Sequence, residues 1–302
     1  MTSLPTDAPL TASLTIRTLQ TARDMEAAVE LQKIYWGEDM AALVPAHMLL
    51  SLRGHGGHLP AAFDGDRMVG LLIGFIGADL ADDTDASPVA QRLLVMSKRM
   101  VVLPEYRSHN IGTLLKLAQR DFARRCGIEL VTWTFDPLLA RNAYLNLCKL
   151  GGVGQRYVLN YFGVAAEHAR LTEDRIVVNW WVNHPHTVAH IAGQAPKLSL
   201  SDHLAAGARL LNPIDTPTGE WPQPTAAVLP PDGATVLVEI PAEALHLEQA
   251  QPALLRAWRD HVRAVMQPVL AAGYIATDFV REGRRTAYVF TRDDGSFVFS
   301  GH

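Results

Sequence analysis

The sequence predicts an α/β fold, and three observations carry the prediction. Helical apolar periodicity alternates along the chain with short apolar runs of strand type. Pairs of these runs flank Asp64-Gly65-Asp66 and Glu282-Gly283, where tight turns mark hairpins. A strand, polar turn and amphipathic helix succeed one another in VVLPEYRSHNIGTLLKLAQR, Val101 to Arg120.

In order, SLTIRTL alternates as a strand, and TARDMEAAVELQKIYWG follows as a helix with a threonine cap and apolar Met25, Ala28, Val29, Leu31 and Ile34 on one face. Pro45 opens a second, short helix that Gly56-Gly57 closes. The hairpin around Asp64-Gly65-Asp66 comes next, then an acidic loop, then a long strand from about Arg92 to Leu103. The helix after it places Ile111, Leu114, Leu115, Ala118 and Phe122 on one face. IELVTWTFD is a buried strand ending at Asp136-Pro137, LLARNAYLNLCKLGG a helix, and QRYVLNYFG and DRIVVNWWV two further strands. Residues 184–230 are rich in proline, histidine and turns, with a small helix near SDHLAAGARLL. ATVLVEIP, a helix carrying Leu254, Leu255, Trp258, Val262, Val265, Met266 and Val269, and the hairpin YIATDFV/TAYVFTR form a closing β-α-β-β unit. The expected organisation is a leader at 1–13, a main domain at 14–182, a linker at 183–230 and a C-terminal β-α-β-β subdomain at 231–302.

Composition narrows the function. A chain of 302 residues with 48% hydrophobic and 19% charged side chains can bury a sizeable core. A net charge of −4 gives no basic footprint, which argues against nucleic acid as a partner. No apolar run reaches a membrane span of roughly 18 residues, and no secretory pattern opens the chain, so no membrane partner and a cytoplasmic location are expected. Cys126 and Cys148 lie in helical patterns and are expected to be buried, reduced thiols. His184, His186 and His190 stand close together, but Pro185 interrupts them and no acidic ligand adjoins, so no metal is expected.

A turn that delivers backbone N–H groups to a helix N-terminus suits an anionic ligand, and equally suits a plain connection. The residues of the turn sharpen this. Arg107, Ser108, His109, Asn110, Ile111 and Gly112 resemble the acyl-CoA-binding motif of the GNAT N-acyltransferase superfamily: arginine or glutamine, two residues, glycine, one residue, then glycine or alanine. The element order over residues 14 to 182 is similar to that family as well. WTFDPLLARNAYLNLCKLG, YWGEDMAALVPAHMLL and EIPAEALHLEQAQPALLRAWRDHV resemble a little-characterised GNAT subgroup with a C-terminal extension.

The resemblance implies a mixed, mostly antiparallel sheet splayed at a central wedge and flanked by helices. It implies acetyl-CoA or another acyl-CoA as cosubstrate, with backbone N–H groups from Ser108 to Thr113 around the pyrophosphate and Arg107 beside it. Bulging of the long strand would let the backbone of Met100, Val101 and Val102 meet the pantetheine arm and polarise the thioester carbonyl. The expected acceptor is a small amine or amino acid. The family's usual acid is a tyrosine four residues before a glycine; aligning Gly151 there puts Leu147 at the tyrosine, Gly152 at the next phenylalanine and Ala140 at an expected asparagine. Tyr144, one turn earlier, is the substitute candidate, with Asn142 and Asn146 on a neighbouring face. His47, Asp136 and Glu38 are candidate bases. The departures keep open a noncatalytic acyl-CoA-binding sensor, and the C-terminal subdomain a homodimer surface.

Overall fold

A computed structural model describes residues 14–39, 42–80, 88–107, 109–163, 174–214 and 221–299. By internal contacts the chain divides into a unit ending at Val131 and a unit beginning at Thr132.

The first unit opens with β1 (Leu14–Thr18), α1 (Ala22–Trp36) and α2 (Ala46–Gly54). Thr21 caps α1 as expected, and the cap is reciprocal: Thr21 Oγ1 accepts from Asp24 N, while Asp24 accepts from Thr21 N. Three strands follow, β2 (Gly57–His58), β3 (Pro60–Asp64) and β4 (Arg67–Ala78); β3 and β4 turn at Asp64-Gly65-Asp66, with Gly65 at a positive φ. A short 3-10 turn at Val89–Arg92 leads into β5 (Leu93–Val102), and another at Pro104–Tyr106 leads to α3 (Ile111–Arg125). The strands order as β1-β3-β4-β5, all antiparallel, with β2 also on β4. Met25, Ala28 and Leu31 of α1, Leu49 of α2, Leu71 and Ile73 of β4, Val101 of β5 and Ile111 and Leu115 of α3 share one apolar core. Helical periodicity placed Met25, Ala28 and Leu31 of α1 and Ile111 and Leu115 of α3 on this face, but Ile34 is exposed, and the buried face of α3 takes in Lys116, Gln119 and Ala123 while Leu114, Ala118 and Phe122 are half-buried.

The second unit begins with β6 (Leu130–Phe135), whose first residues lie at the boundary, and α4 (Ala140–Ala143). The helix expected up to Gly151 changes type: Tyr144–Lys149 is a π-helix, with Leu150 N donating to Leu145 O at 3.0 Å. β7 (Val153–Val158) and β8 (Arg175–Trp181) follow. Between residues 184 and 230 lie α5 (Pro185–Ile191), α6 (Leu200–Ala205) and β9 (Arg209–Leu210). The closing unit is β10 (Thr235–Ile240), α7 (Ala244–Ala250), α8 (Pro252–Ala271), β11 (Tyr274–Glu282) and β12 (Arg285–Arg292). Strands here order as β6-β8-β7-β11-β12-β10-β9, and β11 joins β7 antiparallel through Ala276 and Gly154. Gly154 is required at that crossing, because a Cβ there would stand 2.9 Å from Ile176 and 3.1 Å from Ala276.

One expectation is corrected. Cys126 is exposed, because it caps the end of α3 instead of facing the core, and Cys148 is half-buried. Trp180 and Trp181 are both buried, Trp180 donating to Leu150 O and Trp181 meeting Phe299 edge to face.

Candidate functional site

The connection from β5 to α3 runs from the strand end through a polar turn into the first turn of a helix. Asn110 takes the left-handed conformation, φ 61° and ψ 11°, and is the N-cap of α3. Asparagine enters this region more readily than most residues. The N–H groups of Ile111, Gly112 and Thr113 therefore open the helix, where α-helical geometry leaves them without intrahelical acceptors, and the Asn110 side chain makes no cap bond to them. Ile111 is buried, and Gly112 and Thr113 are half-buried. Arg107 is extended and half-buried, its guanidinium 5.8 Å from the Tyr35 ring centre. His109 is half-buried 6.2 Å from the Tyr106 ring, and its Nδ1 is buried without a partner. Ser108 lies outside the described residues.

Upstream, β5 carries the expected bulge. Ile73 pairs with Arg99 and Gly74 with Ser97, so Lys98 is an extra residue. Past it, Met100, Val101 and Val102 return to regular pairing with Leu72, Leu71 and Gly70. The bulge is pinned by a residue that sequence reading missed. Lys116 of α3 is buried, and its Nζ donates to Ser97 Oγ at 2.8 Å and Gln119 Oε1 at 3.3 Å. Burial drives its pKa well below the usual lysine value. Arg99 was missed too. Its Nη1 donates to Gln32 Oε1 at 2.9 Å and Ala42 O at 2.6 Å, and its guanidinium lies 4.1 Å from the Trp36 ring centre. Burial lowers its pKa from the usual guanidinium value. The only sequence signal for either was a cation interrupting an apolar pattern.

Of the candidate bases, His47 is exposed on α2 and Glu38 is exposed beyond α1. Thus the first unit carries Met100 to Val102, Arg107 and His109 to Thr113 on one strand, turn and helix. Tyr144 and Asn142 belong to the second unit. Tyr144 begins the π segment and is 46% exposed, while Leu147 is fully buried. Asn142 is half-buried and Asn146 buried. Asp136 caps the turn after β6, accepting from Leu138 N at 2.9 Å, and its other oxygen meets Arg259 at 3.0 Å. That pair and the cap bond occupy Asp136, one of the expected candidate bases.

The three histidines near residue 186 each contact a neighbouring group. His190 Nδ1 meets Cys148 O at 2.8 Å, His184 stacks on Phe297 at 4.2 Å, and His186 faces His190 at 4.4 Å. Among the described residues no group of three His, Cys, Asp or Glu is placed to hold a metal ion. No described helix is long and apolar enough to cross a membrane.

The element order from β1 to β8 is strand, two helices, hairpin, long strand, helix, strand, helix and two strands, as expected from the sequence. No family model and no curated protein matches the chain. Solved structures similar to it include the ribosomal-protein-S18-alanine N-acetyltransferase from Escherichia coli, 17% identical over 57% of this chain and 95% of that one, TM-score 0.43. NAA60 from Arabidopsis thaliana in complex with acetyl-CoA is 12% identical over 56% of this chain and 99% of that one, TM-score 0.45. Naa20 from Chaetomium thermophilum with a bisubstrate analogue is 18% identical over 55% and 85%, TM-score 0.41.

Proposed function

We propose that the chain is a CoA-dependent N-acyltransferase of the GNAT type, moving a short acyl group directly from acyl-CoA to a small amine or amino acid. The observation that carries the reading is Asn110 in the left-handed conformation at the head of α3. That backbone shape is why the motif favours glycine at this position, and it turns successive N–H groups toward one point. The residues fit a pyrophosphate: Ile111, Gly112 and Thr113 offer first-turn donors, and Arg107 supplies a planar cation alongside. The bulge before Met100 supports a role for the Met100 to Val102 backbone in holding the pantetheine arm and polarising the acyl carbonyl. The bound thioester supplies the activated acyl group. His47, exposed on α2, is the proposed base for the acceptor amine, directly or through water, Tyr144 the proposed proton donor, and Asn142, on another face of its helix, a further proposed site residue.

A second reading has its own support. Leu147, buried and apolar, fills the position of the family's usual acid, which suits an acyl-CoA sensor without turnover. Incubation with acetyl-CoA and succinyl-CoA across a panel of amines and amino acids, following free thiol, separates the two. Acceptor-dependent thiol release is expected. Tight CoA binding with no thiol release from any pair would replace the enzyme by the sensor.

A further inference from the structure

Arg99 is a half-buried cation whose partners are all neutral. Both hydrogens of Nη1 are used, one on Gln32 Oε1 and one on the Ala42 carbonyl, and the Trp36 ring covers one face of the guanidinium. Gln32 is itself fully buried and saturated. Its Nε2 donates to Ala28 O at 3.2 Å and Val44 O at 3.1 Å, and its Oε1 accepts from Val44 N at 2.9 Å as well as from Arg99. The guanidinium is thus held at one end and one face and has little freedom to swing.

Its opposite edge, Nε–H and Nη2–H, meets no carboxylate or carbonyl among the described residues. Neither nitrogen is a buried atom lacking a partner, so this edge reaches solvent. The Nε/Nη2 edge of a guanidinium matches the two oxygens of a carboxylate side on. An arginine fixed in advance loses little conformational freedom on binding, and that favours affinity. Its neighbour in β5 is Met100, the start of the backbone proposed to hold the acyl thioester.

We propose that the open edge of Arg99 binds a carboxylate carried by one of the two substrates, on the acyl chain or on the acceptor amine. This rests on the acyl-CoA reading above and adds the substrate's charge class to it.

Calorimetry on the full chain tests it with matched probes. Succinyl-CoA against butyryl-CoA forms the donor arm; phenylalanine and leucine against 2-phenylethylamine and 3-methylbutylamine, titrated onto CoA-saturated protein, form the acceptor arm. In one arm the carboxylate-bearing probe should bind more tightly than its neutral twin, and Arg99→Met should remove roughly 10- to 100-fold of that affinity while leaving the twin and CoA unchanged. Arg99→Lys keeps a cation able to reach Gln32 and Ala42 but has no fork, and should lose part of the preference. It carries the test if the methionine variant does not fold. Equal binding of the twins in both arms, or equal weakening of both by Arg99→Lys or Arg99→Met, overturns the carboxylate site and leaves Arg99 a strut. Wild-type protein that fails to bind CoA overturns the parent reading and this one together.

Discussion

Asn110 shows how a single backbone conformation can carry a functional argument. Its place in the left-handed region follows from the sequence, since asparagine is among the few side chains that stand where glycine usually does. Asn110→Gly should therefore keep CoA affinity within about twofold, whereas Asn110→Val, which pays about 1–2 kcal/mol to hold that shape, should weaken it roughly tenfold. Equal affinity for both variants by calorimetry would remove the turn from the site. Tyr144 is judged the same way. Its exposure sets aside core packing and leaves it available as a donor. Tyr144→Phe should slow turnover more at pH 6 than at pH 9, because a departing thiolate needs a proton less at high pH. A constant rate ratio across that range contradicts the assignment. What the sequence hid at this scale was Arg99 and Lys116. Their partners lie far along the chain, as with Gln32 and Ser97, and no local pattern announces a cation that turns inward.

Elements were more legible than the contacts between them. The cap of α1, both hairpins, the bulged β5 and the stripe of α3 follow from periodicity, turn chemistry and the resemblance. The π-helix at Tyr144–Lys149 did not, because its apolar spacing is close to that of an α-helix and the widened bonding comes from tertiary packing. The contact of β2 with α3 has a measurable pH signature. His58 of β2 is buried and stacks on Phe122 at 4.4 Å, and burial, aided by the Arg125 charge, lowers its pKa from 6.5 to about 4. Between those values the unfolded chain binds the proton and the folded chain does not, so stability falls as pH drops from 6.5 towards 4 and is independent of this group above 6.5. The full loss is about 3 kcal/mol. His58→Phe should flatten the denaturation midpoint over that window; an unchanged pH slope would place the titration elsewhere.

At the largest scale, the elements expected as a C-terminal β-α-β-β subdomain lie in the second unit, with α7 as an additional helix between β10 and α8. β11 continues the pairing of β7, and α8 is tied to the start of β8: Asp174 receives Arg263 at 2.7 and 3.0 Å, the Tyr157 hydroxyl at 3.0 Å and Asn160 N at 3.0 Å. Burial pushes the Asp174 carboxyl up, and these donors together hold it below the usual carboxylate value. Arg263→Ala leaves that carboxylate buried and should destabilise the chain by roughly 2–3 kcal/mol, below the range for a fully buried pair because Arg263 is partly open to water. Denaturation showing less than about 0.5 kcal/mol, the scale of an ordinary surface substitution, would mean that the pair adds nothing to the fold. The central claim is the acyl-CoA cradle, and titration of acetyl-CoA into the full chain, beside the Asn110→Val variant, tests it most directly. Saturable one-to-one binding that the variant weakens roughly tenfold is the expected result; no binding of acetyl-CoA, or of any other CoA ester, by the wild-type chain would contradict it.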